Sequence, residues 1–174
     1  MRARMILGLA AALVVAATDT GRAASPPAWD RVVPSGSSRF KVLPHYGGLA
    51  VLDKETGLVW QRSPATNLVT WENAQFACLG VTTGGRRGWR APTEWELMSL
   101  GDPTQDTPSL SPGHPFQDVS TDDNYWSATT HPTDPTRALR ERFGVGSGGV
   151  IVAPKGDLAR VWCVRGPGGQ SSDP

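Results

Sequence analysis

Apolar and polar positions alternate over several short stretches of the chain, the pattern of half-buried strands. Arg39-Phe40-Lys41-Val42-Leu43 is the first. Residues 49–52 and 58–60 flank Asp53-Lys54-Glu55-Thr56-Gly57 and predict a hairpin in which Gly57 supplies a positive-φ position. Strand-like stretches return at 125–129, 138–143, 150–153 and 158–165. Two segments carry helical spacing instead. Trp71, Ala74 and Cys78 fall at i, i+3 and i+7 of a helix over 71–79, with Thr70 as N-cap and Gly80 as stop. Thr93-Glu94-Trp95-Glu96 reads as a capping box opening a second helix that ends at Gly101, with Trp95 and Met98, joined by Leu97 and Leu100, on its buried side. Residues 102–123 show no periodicity. They predict a long loop, the kind of segment that often binds.

The N-terminus reads as an export signal. Arg2 and Arg4 precede an apolar run over 5–17, the length of a signal-peptide core and short for a membrane span. Cleavage is expected near Ala23 or Ala24, with an uncleaved anchor as the rival; no Cys follows the run to take a lipid. The chain therefore divides into a leader (1–24), a flexible Pro- and Ser-rich arm (25–38), one domain (39–166) and a disordered tail (167–174). Export places Cys78 and Cys163 in an oxidising compartment, where a single pair is most simply one disulfide. There is no CxxC, and no His lies near either Cys in sequence, which weakens the metal and redox alternatives.

Composition narrows the picture further. Gly (20) and Pro (15) make up a fifth of the 174 residues, against a helical bundle and for a turn-rich fold. Cleavage after Ala24 removes Arg2, Arg4, Arg22 and Asp19 and leaves 14 basic against 15 acidic residues. Such a balance offers no bulk attraction to nucleic acid or to an anionic membrane, so any polyanion must meet a local patch.

Several phrases carry a family resemblance. They are Thr56-Gly57-Leu58-Val59-Trp60-Gln61, Thr70-Trp71-Glu72-Asn73-Ala74 with Cys78, Gly88-Trp89-Arg90-Ala91-Pro92-Thr93 with Glu96-Leu97, Tyr125-Trp126-Ser127-Ala128-Thr129, and Cys163-Val164-Arg165. In order and spacing the set resembles the C-terminal domain of the Legionella collagen-like adhesin (Lcl), from about Arg39 to Arg165. The resemblance implies an α+β, C-type lectin-like domain with two short helices, a twisted antiparallel sheet, a long loop region and one disulfide. The adhesin's domain binds sulfated glycosaminoglycans, but it follows a collagen-like stalk, and this chain has no Gly-X-Y tract.

Candidate chemistry is then weighed residue by residue. Trp60, Trp71, Trp89 and Trp126 sit inside the shared phrases and read as core, with stacking on sugar rings as the rival, for which isolated Trp29, Trp95 or Trp162 would serve as well. Arg90 reads as a structural arginine, in an ion pair or on a carbonyl, ahead of a ligand contact. Arg137, Arg140 and Arg142 form the most suggestive ligand cluster, because Arg140 and Arg142 share one side of a strand while Glu141 faces the other. Arg86 and Arg87, on a Gly-flanked turn, come second. Asp118, Asp122, Asp123 and Asn124 are weak calcium candidates, lacking the triplets of calcium-dependent sugar-binding lectins. His45, His114 and His131 have no metal spacing. The glycine-rich run 144–149 lies between strands, with no helix to receive a phosphate.

The expectation is an exported, non-catalytic binding or adhesion module without a cofactor, recognising anionic polysaccharide or an envelope protein. Its rivals are a structural envelope component and an enzyme on the lectin-like body shared with formylglycine-generating enzymes. Those enzymes rely on reactive cysteines, and both cysteines here are assigned to a staple.

Overall fold

The computed structural model describes residues 35–144 and 150–166. The leader, the arm up to residue 34, residues 145–149 of the glycine-rich run and the tail from residue 167 lie outside the described residues. Two antiparallel sheets form the body. The first runs in the order β1 (Phe40–Val42), β2 (Ala50–Asp53), β3 (Val59–Gln61) and β7 (Val164–Arg165). The second is a meander of β4 (Asn124–Thr130), β5 (Arg137–Arg142) and β6 (Ile151–Pro154). The predicted hairpin joins β2 to β3 with Val51 opposite Trp60, and Gly57 has φ 77°.

The short helix α1 (Gly36–Arg39) precedes β1, so Arg39 ends a helical turn instead of starting a strand. Of residues 35–38, assigned from sequence to the arm, Gly36 is packed while Ser37 and Ser38 are exposed. Gly36 is buried, donates its N–H to the Pro112 carbonyl at 3.1 Å, and would drive a Cβ to 2.5 Å from the Ser111 carbonyl. Helix α2 (Trp71–Gly80) buries Ala74 and Cys78 as its spacing predicts, but the Thr70 side chain makes no capping hydrogen bond. The capping box of α3 (Glu94–Leu100) is complete, with Thr93 and Glu96 each satisfying the other's backbone N–H. That helix buries Leu97 and Leu100 as predicted, but Glu96 takes the place expected of Trp95. Glu96, Leu97 and Leu100 are buried, while Trp95 is 68% exposed. Arg90 accounts for the buried carboxylate. Its guanidinium meets both Glu96 oxygens at 2.7 and 2.6 Å, so a carboxylate takes a core position that hydrophobic patterning reserves for an indole.

Indoles organise the interior. Trp162 is fully buried and packs its ring against Trp60, Phe116, Tyr125 and Phe143 at centroid distances of 4.9–5.8 Å. Trp60, Trp89 and Trp126 are also fully buried, and Trp71 is half-buried. Four indole N–H groups donate to backbone carbonyls: Trp71 to Ser127, Trp89 to Arg86, Trp126 to Val69 and Trp162 to Gln61. Each buried ring thereby fixes a neighbouring segment, as a large side chain with one polar handle can. The Trp60 N–H is buried without a partner.

Cys78 and Cys163 are bonded, with Cα atoms 5.4 Å apart. The bridge ties the last turn of α2 to the strand that closes the first sheet. Residues 158–165, read from sequence as one strand, are broken into bridges at Ala159 and Arg160 and the two residues of β7. No helix among the described residues is long and apolar enough to cross a membrane.

Candidate functional site

Two arginines, Arg86 and Arg165, meet at Tyr46, and Arg87 adjoins them through its backbone. The Arg86 guanidinium lies over the Tyr46 ring, 5.6 Å from its centroid. Arg165 donates from Nη1 to the Tyr46 hydroxyl at 3.2 Å and from Nε to the Arg87 carbonyl at 2.9 Å. Arg86 and Arg87 are exposed and Arg165 is half-buried. Among the described residues none of the three is in an ion pair, although Arg39, Arg90, Arg140 and Arg160 all are. A shallow cleft of about 670 Å³ adjoins them, lined by Tyr46, Leu49, Gln61, Val81, Thr82 and Thr83 together with glycine backbone.

The local sequence explains why this surface holds its shape. After α2 the chain enters a tight turn over Thr83–Gly85, in which Gly84 has φ 62° and a Cβ would stand 2.6 Å from the Tyr46 Cα. Only glycine lets the turn lie on the tyrosine. The Trp89 N–H then holds the Arg86 carbonyl at 2.9 Å, and Gln61 bridges the two halves of the site. Its amide donates to Thr83 Oγ1 at 3.0 Å, while its oxygen accepts from the Cys163 N–H at 3.2 Å. Arg165 arrives two residues after Cys163, on β7, whose Val164 exchanges backbone hydrogen bonds with Arg90. Arginines almost eighty residues apart in sequence therefore share one tyrosine because a disulfide and a strand bring them there.

The sequence profile of the Lcl C-terminal domain family matches residues 49–165, more than half of the chain. The chain belongs to that family. Comparison with curated proteins gives no match. Within this Lcl C-terminal domain the matched span holds both cysteines and Arg86, Arg87 and Arg165, while Tyr46 lies just before it.

The other arginine cluster named from sequence is arranged differently. Alternation along β5 places Arg140 and Arg142 on one face and Arg137 on the other, with Leu139 and Glu141. Arg140 leans on the Trp126 ring, 5.5 Å from its centroid, and lies 3.8 Å from an Asp157 carboxylate oxygen. Arg137 donates to the Val152 carbonyl. Arg142 also has an interaction partner. Arg140 is thus partnered by a carboxylate, whereas among the described residues Arg86 and Arg165 contact only an aromatic ring, a hydroxyl and a backbone carbonyl.

The calcium candidates are separated by their own contacts. Asp118, at φ 55°, accepts from the Ser63 hydroxyl at 2.7 Å, and Asp123 is held by Ser120 and by Arg160 at 2.7 Å. The Asp122 N–H is bound by the Ser120 hydroxyl, and the Asn124 Oδ1 is buried without a hydrogen bond. Among the described residues no group of three or more His, Cys, Asp or Glu is placed to hold a metal ion. With both cysteines in the bridge, no thiol is left for nucleophilic chemistry.

Of the isolated tryptophans, Trp162 is core, Trp95 is on the surface, and Trp29 lies outside the described residues. Arg165 was not singled out from sequence as a ligand contact. Its signal was the two-residue spacing from Cys163, which matters only once the disulfide partner and Tyr46 are known.

Proposed function

We propose that this Lcl C-terminal domain is an exported adhesion-related binding module that recognises anionic polysaccharide through Arg86, Arg87 and Arg165. The observation that carries the reading is the meeting of the Arg86 and Arg165 guanidinium groups on one tyrosine, with the exposed Arg87 beside them, none in an ion pair among the described residues, next to an open cleft. Guanidinium groups match sulfate and carboxylate oxygens in a bidentate way. A chain with almost balanced charge needs such a local concentration to hold a polyanion. The arginines of β5 are the second surface in this reading, because their head groups already have partners.

Export supports the same reading. The N-terminal residues have signal-peptide character, and the disulfide fits an oxidising compartment. Cleavage near Ala23 or Ala24 is checked by the intact mass of protein recovered from periplasm or medium; a mass retaining residues 1–17 refutes it.

Binding is tested with immobilised heparin as the sulfated polymer and unsulfated dextran as the control. Heparin should bind, weaken steeply as salt rises, and be indifferent to EDTA. Loss of binding in EDTA would instead favour a calcium site near Asp118, Asp122, Asp123 and Asn124. Failure to bind heparin in low salt would move the function to a protein partner or a structural role.

A further inference from the structure

A second concavity, away from the cluster on Tyr46, has the opposite charge character. It encloses about 580 Å³ between α3 and the β2–β3 turn and is lined by Arg39, Glu55, Thr56, Trp95, Met98 and Ser99. Trp95 is the largest exposed apolar side chain among the described residues and stands at its rim. At 68% exposure its indole is largely free to meet a ligand.

The polar groups of the hollow are almost all committed. Arg39 is 5% exposed and is clamped by Asp53, with Nε to Oδ1 at 2.8 Å and Nη2 to Oδ2 at 2.7 Å. The same Nη2 donates to the Ser99 carbonyl at 2.6 Å. The Thr56 hydroxyl donates to Asp53, and the Ser99 hydroxyl donates to the Glu96 carbonyl. Asp53 alone balances the charge of Arg39. Glu55 touches Arg39 only through Oε2, at 3.0 Å from Nε, and its side chain keeps 18% exposure. Its carboxylate is thus surplus. Burial raises its pKa, Asp53 adds to the rise, and Arg39 opposes it in part. Asp102 brings another carboxylate within electrostatic range of Arg39. Lys54, the cation nearest in sequence, has its ammonium on the Ser38 carbonyl.

An unbalanced carboxylate, an exposed indole face and a thioether together match a cation carried on an apolar stem. The (CH₂) chain of a lysine or arginine covers Trp95 and Met98, and its head group meets Glu55 and the face of the indole. The surplus negative charge repels the sulfates and carboxylates that the surface around Tyr46 would attract. We propose that the hollow between Trp95 and Glu55 is a docking site for a basic side chain of a protein partner, separate from the polyanion surface.

The test uses the full disulfide-bonded chain and two blocked peptides, acetyl-Val-Lys-Val-amide and its acetyl-lysine counterpart. Binding is followed by the NMR shift of the Trp95 Nε1–H signal, assigned by its absence in Trp95→Phe. The lysine peptide should shift that signal saturably, and the acetyl-lysine peptide should bind at least tenfold more weakly. Glu55→Gln, which keeps an oxygen for Arg39, should weaken the lysine peptide by a similar factor. Equal binding of the two peptides, or unchanged binding in Glu55→Gln, overturns the proposal by showing an apolar hollow without charge selection. A Trp95 shift produced by methyl glucoside but not by the lysine peptide overturns it in favour of sugar stacking. No shift with the lysine peptide at millimolar concentration also overturns it.

Discussion

Two regions of the molecule carry rows of arginine, and they use them differently. On β5, Arg140 and Arg142 alternate regularly in the middle strand of a three-stranded sheet, so neighbouring strands flank them on both sides. Arg140 is only 16% exposed at its side chain and is shared between an indole and Asp157. Around Tyr46, the arginines come from a glycine-rich turn and from a terminal strand, and among the described residues no carboxylate answers them. Strand alternation says which way a side chain points. Whether its charge is already matched depends on what the fold packs against it, and that decides its value to a ligand.

Arg39 supplies the largest test of this contrast, as an arginine fully matched and buried. Arg39→Ala leaves the Asp53 carboxylate at 0% exposure without its cation. Removing one partner of a buried pair costs about 3–5 kcal/mol. Arg86→Ala, at an exposed site without an ion pair, should change stability by less than about 0.5 kcal/mol. Urea unfolding of both variants measures the difference. Equal losses would mean that Arg86 is structural, and the division between the two kinds of arginine would fail.

The disulfide is the next lever, because it acts on one arginine region directly. Replacing Cys78 and Cys163 by Ala should cost about 2–5 kcal/mol. It should also free Arg165 from its fixed distance to Arg86, since β7 has only two residues beyond the bridge. Under conditions where the variant remains folded, heparin affinity should therefore fall. Unchanged affinity in the folded variant would indicate that the ligand sits on β5, whose partners Trp126 and Asp157 do not depend on the bridge.

Much of this organisation was legible in the chain, and the limits have physical causes. The Gly57 hairpin, the α3 capping box and the Cys78–Cys163 pair depend on local rules or on there being only two cysteines. The buried face of α3 was misread because Glu96 looks like a surface residue until Arg90 neutralises it. Residues 158–165 look like one strand, although only their ends find ladder partners. The cluster around Tyr46 was half visible: Arg86 and Arg87 stood out on their turn, but Arg165 and Tyr46 join them only through tertiary contacts. The hollow at Trp95 was hidden by the same misreading, which placed the indole in the core.

A direct comparison of the two rows should give a smaller effect than either loss of stability. Arg86→Ala combined with Arg87→Ala should weaken heparin binding about tenfold or more, equivalent to about 1.4 kcal/mol. The salt dependence should become shallower as well, because fewer anionic groups are neutralised. Arg140→Ala combined with Arg142→Ala should leave affinity within about twofold, once stability is controlled. The reverse ranking would restore the strand as the ligand surface.

Acid supplies the smallest and most local effect. His114 lies in the long loop over 102–123, with its ring 5.9 Å from Phe116 and its Nδ1 buried without a partner. Burial lowers its pKa from the ordinary 6.5. Between that lowered value and 6.5 the unfolded chain binds more protons than the folded one, so stability rises with pH through the window and this contribution is flat above it. Acidifying through the window should lower the urea midpoint slightly, and His114→Gln should reduce the drop by removing the titrating group. The same variant should leave heparin affinity at neutral pH unchanged, because His114 stands with Phe116 in the loop and not with the arginines on Tyr46. A loss of heparin binding in His114→Gln, with the fold intact, would transfer the ligand to the long loop and remove the distinction between the two arginine regions.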